Sequence, residues 1–216
     1  TMSSNGAMTK LEELCDDIGH RLSGSPQLDQ AIDWAVATLK ADGHENVAKE
    51  PVMVPKWVRG EESLELISPR KTSLPVLGLG WSVGTGPEGV EGEVVVVRDE
   101  AELEALGQGA AGKIVLFDNA MPDYHPDHGA GYGKTVRFRV HGARLASELG
   151  AVAVLIRSVT AHSLRTLHTG TMRYGDAKKK IPAAAVTTED ASMIARLVKR
   201  GKRVAVRLKM GARDEG

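Results

Sequence analysis

The chain has 216 residues, of which 42% are hydrophobic, 26% charged and 4% aromatic, and its formal net charge is zero. That length and mix suit one large domain or two small ones, each able to bury a core, and exclude a disordered or fibrous chain. The single cysteine, Cys15, excludes a disulfide framework and a cysteine-based zinc site, and no run reaches the eighteen or so apolar residues of a membrane-crossing helix.

The zero net charge hides a split. Residues 1–133 carry 10 Lys and Arg against 22 Asp and Glu, whereas residues 134–216 carry 18 against 6. The basic half can face the acidic half, an anionic ligand or solvent. Nucleic acid is disfavoured, because so few aromatic residues supply a poor base-stacking platform.

Residues 1–8 are small and polar and read as a cloning remnant or a disordered start. Thr9 and Glu12 have the spacing of a capping box, which predicts a helix carrying Leu11, Leu14, Cys15 and Ile18 on its apolar face and stopping at Gly19. Ser25-Pro26 predicts the start of a second helix, lined by Leu28, Ile32, Ala35, Val36 and Leu39 and ending at Asp42-Gly43. Val52, Val54 and Trp57 suggest an extended strand, and Leu64, Leu66 and Leu74–Leu79 two more.

From residue 92 strands and helices alternate. GEVVVVR (92–98) reads as a buried strand, Asp99–Leu106 as a short capped helix and KIVLFD (113–118) as a second strand. Thr135–Leu149 reads as a helix with Val136, Val140, Ala143 and Ala146 inward, and AVAVLIR (151–157) as a strand. After a long loop come Ile181–Val186, a strand whose Pro182 suits an edge or a strand start, a helix over Thr188–Arg200 and a last strand over Lys202–Met210. This alternation predicts a layered α/β domain, with the boundary to the preceding segment between about residues 60 and 75.

Four motifs could carry chemistry. Gly133-Lys134-Thr135 ends like a phosphate loop and precedes a helix, but His128 occupies the position of the first glycine. Gly78-Leu-Gly80 through Gly84 resembles a dinucleotide fingerprint, yet Gly86-Pro87 follows where a helix must open. His125 and His128, with Asp127 between them, are weak candidate metal ligands without a further donor nearby in sequence. Cys15, on the apolar side of its helix, reads as a core residue rather than a nucleophile.

The order GEVVVV, GKIVLF, His141-Gly-Ala143, GAVAVLI, Ile181-Pro182 and Thr-Glu-Asp-Ala resembles a protease-associated domain. RLSGSP (21–26), EPVMVPKW with RGEES (50–63), LGLGWSVGTGPEG (77–89), TVRFR (135–139), LIRSV (155–159), HTG (168–170), IPAAAVTTEDASM (181–193) and LKMGA (208–212) together resemble the amino-terminal half of carboxypeptidase Q-like zinc metallopeptidases. The resemblance implies a layered β/β/α swivelling-type sandwich over residues 71–212, preceded over residues 9–70 by two helices and extended strands that would pack on a catalytic domain. Residues 213–216 would then lead towards that domain.

It also implies two zinc ions in the full-length parent. Their ligands lie beyond the LKMGA stretch, so the chain by itself is expected to hold no cofactor and no hydrolytic site. Glu12-Glu13 and Glu61-Glu62 sit in the wrong context to be such ligands. The implied role is a non-catalytic lid that shapes access for dipeptide or short-peptide substrates. His168, Thr169, Arg173 and Tyr174, in the long loop Ser158–Lys180, are the lid candidates. Two alternatives stay open: a stand-alone module binding peptides or proteins, and a nucleotide-binding protein using Gly133-Lys134-Thr135. The expected partners are the parent's catalytic domain, a short peptide and, through an uncovered face at Ile32, Val36 and Leu39, a second copy. Members of such a family are usually exported (secreted, lysosomal or periplasmic), but Thr1–Met8 has no leader pattern, so the compartment is left open.

Overall fold

The computed structural model describes residues 5–216. Residues 1–4 of the stretch read as a remnant lie outside the described residues, and Gly6–Met8 of that stretch are helical. Helix α1 spans Gly6–Glu12 and continues as a π-helical turn over Glu13–Ile18. Thr9 therefore sits inside the helix rather than capping it, with its Oγ1 donating to the carbonyl of Asn5. A π turn adds a residue per turn and rotates the side chains that follow, and Cys15 is exposed rather than part of a core.

Helix α2 spans Pro26–Ala41, as its cap predicts: the Ser25 side chain accepts from the Leu28 N–H at 3.2 Å, and Pro26 fills the first turn, where no N–H is needed. The Trp34 indole donates to Glu13 at 2.7 Å and ties the π turn to α2. Only Ala31 of α2 is buried, while Ile32 and Leu39 are exposed. The expected strand at 52–57 shrinks to β1, Trp57–Val58. Pro51 and Pro55 have no N–H to donate to a ladder, and Val52 and Met53 are exposed.

The remaining elements are β2 (Glu62–Ser68), β3 (Thr72–Leu74), β4 (Val76–Gly78), β5 (Val90–Val97), α3 (Glu100–Leu106), β6 (Ile114–Phe117), α4 (Tyr132–Thr135), α5 (Arg137–Glu148), β7 (Ala153–Arg157), β8 (Ala183–Val186), α6 (Thr188–Lys199), β9 (Ala205–Met210) and β10 (Arg213–Asp214). The chain forms two compact units, one comprising the chain up to Trp57 together with Asp214–Gly216, the other Val58–Arg213. The division falls earlier than residues 60–75, because β2 is a full member of the second unit's sheet. Its Leu64 and Leu66 pair with Leu208 and Val206 of β9.

That sheet has eight strands in the order β3-β2-β9-β5-β6-β7-β8-β4. The strands β5, β6, β7 and β8 run parallel, in register from Val94 opposite Ile114 to Arg157 opposite Val186, and the others are antiparallel. Every residue of β6 and β8 is buried, as are four of the five in β7. Their continuous apolar runs therefore report cover on both faces. On one face Val115, Phe117, Val154, Ile156 and Ala183 pack with Leu103 of α3 and with Phe138, Ala143 and Ala146 of α5. Helix α6, capped by the Thr187 hydroxyl on the Asp190 N–H at 3.1 Å, lies against β5 and β7 with Ala191 and Ile194 buried. Pro182 marks a strand start, not an edge, since β8 is paired on both sides.

Two details differ from the helical pattern. The expected single helix from Thr135 is broken at Val136 into α4 and α5. Its deepest aromatic is Phe138, whose ring stacks on Phe117 at 4.9 Å, while Val136 and Val140 are only half-buried. No described helix is long and apolar enough to cross a membrane.

The two ends of the sheet also meet: β4, at one edge, comes back against β2. Close approaches accompany Gly78 and Gly84. A Cβ on Gly78 would lie 2.1 Å from Glu62 Oε1, and one on Gly84 would lie 2.6 Å from the carbonyl oxygens of Met210 and Ala212. Phe138→Ala removes the ring that fills the space above Phe117. It is expected to cost about 3–5 kcal/mol, read as a fall in the urea unfolding midpoint.

Candidate functional site

The segment between β7 and β8 contains all four lid candidates, and its two halves are held differently. Thr160–Leu167 runs over the start of α6. The Ser163 hydroxyl and the Arg165 N–H donate to Glu189 at 3.1 and 3.0 Å, and the Arg165 side chain pairs with Asp190 at 3.3 Å. The Arg165 N–H is the main reason the Glu189 carboxyl is held below its ordinary range.

From His168 onward the chain is stitched down like an extra strand. The His168 N–H donates to Ser158 Oγ at 2.9 Å, the Thr169 hydroxyl to the Gly78 carbonyl at 2.9 Å, and the Met172 N–H to the Gly80 carbonyl at 3.0 Å. The Gly80 N–H returns a bond to the Gly170 carbonyl at 2.9 Å. Tyr174 closes the segment. Its buried hydroxyl donates to the Ile181 carbonyl at 2.6 Å and accepts from the Val83 N–H at 3.0 Å, and burial pushes its pKa up.

Thr169 and Tyr174 are thus anchors. His168 is exposed and meets two residues that sequence reasoning missed. Its Nε2 lies 3.4 Å from the Tyr132 hydroxyl, with the rings edge to face at 6.0 Å. Arg139 donates to the same hydroxyl at 2.7 Å, and its guanidinium carbon lies 5.6 Å from the centre of the Tyr132 ring. Gly170 makes this possible: a Cβ there would lie 2.6 Å from that guanidinium carbon. This cluster offers a cation, a phenol and an imidazole at the surface, a set that can receive a carboxylate or a peptide carbonyl. The TVRFR and HTG stretches contain two of its members, but nothing in their spacing says that α5 and the loop meet. Arg173 lies elsewhere, in a groove with Arg137, His141 and Arg144 that takes in none of the other three candidates.

A second polar centre sits where the sheet ends meet. Glu62 Oε2 accepts from the Gly78 N–H at 2.8 Å, and Arg59 donates to the Gly78 carbonyl while lying 3.6 Å from Glu62 Oε1. The Glu62 side chain is only 6% exposed. Desolvation dominates and raises its pKa, against the lowering by Gly78 and Arg59.

The motif candidates resolve into loop geometry. Lys134 is exposed, in a helix of only four residues that follows Gly131 at φ +66°. The rings of His125 and His128 stack at 4.9 Å in an exposed turn, with Asp127 3.8 Å from His125. Among the described residues, no three His, Cys, Asp or Glu side chains are placed to share one metal ion. The donors present thus do not fit a two-zinc centre, which needs several converging ligands at about 2.0–2.2 Å.

No family model matches the chain. In fold alone, 95% of the chain superimposes on 43% of a zinc aminopeptidase from Bacillus subtilis, with a TM-score of 0.60 at 17% identity. More specifically, 99% of the chain superimposes on 48% of a peptidase M28 precursor from Shewanella amazonensis, with a TM-score of 0.90 and 38% identity. The chain is homologous to carboxypeptidase Q, being 44% identical to the Bos taurus protein over 212 residues and 42% identical to the Homo sapiens protein over 211. It spans 98% of itself but only 43% of the length of those relatives.

Two outcomes check this geometry. Tyr174→Phe leaves the Ile181 carbonyl and the Val83 N–H without their partner and is expected to cost about 1–3 kcal/mol in chemical unfolding. The raised pKa of Glu62 means that the folded state holds this proton more tightly than the unfolded one. Its contribution to stability is therefore full below the ordinary glutamate value and is lost as pH rises through the raised value. Glu62→Gln keeps an acceptor for the Gly78 N–H and abolishes that loss, so its melting temperature relative to the wild type should increase between pH 4 and pH 7. A difference that is flat with pH would contradict the assignment.

Proposed function

We propose that this chain is the amino-terminal, substrate-access part of a carboxypeptidase Q-like zinc exopeptidase, and that Val58–Arg213 is its protease-associated domain. The observation that supports this best is the near-complete superposition of the chain on under half of a peptidase M28 precursor at 38% identity. In this reading the two zinc ions and the residues that activate water belong to the part of the parent that this sequence does not cover. The chain's own residues bind and orient the substrate without moving a proton.

Arg139 supplies the fixed charge. Its hydrogen bond to the Tyr132 hydroxyl and its approach to the ring preorganise it, and His168 completes a donor set for the terminal carboxylate of a dipeptide or short peptide. The stitching of residues 168–174 to 78–83 holds that set still. The exposed Ile32 and Leu39 of α2 form the face that the catalytic part covers, and without that part a second copy covers it.

The chain incubated with zinc and a dipeptide is expected to show no turnover, and turnover matching full-length carboxypeptidase Q would overturn the proposal. In the full-length parent, Arg139→Ala should raise KM for dipeptides about tenfold, the equivalent of a ~1.4 kcal/mol loss, with kcat nearly unchanged. An unchanged KM would remove Arg139 from substrate binding.

A further inference from the structure

A separate surface of the second unit carries more positive charge than its contacts neutralise. Arg137, His141 and Arg144 stand at positions i, i+4 and i+7 of α5, which places them on one face of the helix. The segment after Thr171 is drawn alongside them. The Arg173 N–H donates to the Val140 carbonyl at 2.9 Å, and a Cβ on Gly175 would lie 3.4 Å from Arg144 Cδ. Together they line an open surface groove of about 570 Å³, whose lining residues include three arginines, one histidine and the single acidic residue Asp176.

Arg137 uses one terminal nitrogen on Glu100, and Arg144 uses one on Glu148 at 2.7 Å. Each guanidinium has five N–H donors, so both keep donors to spare. Among the described residues, no hydrogen bond or ion pair takes up the Arg173 side chain. Lys178, Lys179 and Lys180 follow directly in the chain and add to the local positive potential.

We propose that this groove is a binding site for a phosphate-class dianion, held between the α5 face (Arg137, His141, Arg144) and Arg173. A carboxylate has two oxygens and one charge, which occupy one guanidinium fork. A tetrahedral dianion has oxygens pointing in several directions and can engage forks from the helix and the loop together. No Phe, Tyr or Trp is among the groove's lining residues. The shared chemistry is the phosphoryl dianion, whether free or carried on a larger molecule.

The test is isothermal titration calorimetry of this chain at low ionic strength with inorganic phosphate, O-phosphoserine and acetate. Saturable one-site binding of phosphate is expected, with acetate at least tenfold weaker. Arg173→Ala and Arg144→Ala should each weaken phosphate about tenfold, whereas Lys134→Ala, at the exposed Gly-Lys-Thr turn, should leave it unchanged. Equal affinity for phosphate and O-phosphoserine assigns the site to the bare dianion, and tighter binding of O-phosphoserine assigns it to a carried phosphoryl group. Circular dichroism melts of the variants confirm that each is folded. Absence of saturable binding overturns the proposal. So does acetate binding as tightly as phosphate, or an Arg173→Ala protein that binds phosphate like the wild type.

Discussion

The second unit depends on one peptide group. Gly78 ends the edge strand β4, and the sheet returns there against β2. Its N–H is taken by the buried Glu62, and its carbonyl by Arg59 and Thr169. A side chain at Gly78 would displace the Glu62 carboxylate from its place on the Gly78 N–H. Burying a carboxylate is unfavourable unless its oxygens are hydrogen-bonded or paired. Here the raised Glu62 pKa shows that desolvation outweighs its partners. That cost is tolerated because the same contact fixes the sheet closure and, through Thr169, the long segment between β7 and β8.

Fixing that segment decides what its side chains can do. An untethered lid would let His168, Thr169, Arg173 and Tyr174 converge on one ligand. The stitched segment instead turns two of them inward as anchors and separates the other two. His168 joins Tyr132 and Arg139, and Arg173 joins the basic face of α5. The excess of Lys and Arg after residue 133 therefore does not act as one diffuse field. It is divided among ion pairs such as Arg157–Asp118, a preorganised cluster at Arg139 and the groove at Arg173.

Homology to carboxypeptidase Q and the lack of a converging donor set among the described residues are compatible, because the chain covers 43% of those relatives. A peptidase needs its metal ligands within one coordination sphere, but substrate access can be shaped by residues far away in sequence. Several of the short motifs that carry the resemblance, such as LGLGWSVG and IPAAAV, serve a close approach or a buried strand.

The sequence by itself determined the elements whose signal is local. The β6 to β8 strands are legible because two-sided burial demands unbroken apolar runs, α2 because Ser25-Pro26 satisfies a helix start, and α6 because Thr187 does likewise. Family resemblance was legible too, since short motifs in register survive without any knowledge of contacts. The tertiary structure alone decided the rest. It showed that β4 returns to β2, that residues 168–174 pair with 78–83, that Phe138 rather than Val136 fills the core, and that Cys15 faces outward within a π turn. Each of these depends on groups distant in the chain or on an extra residue in a turn, and residue spacing carries no information about either.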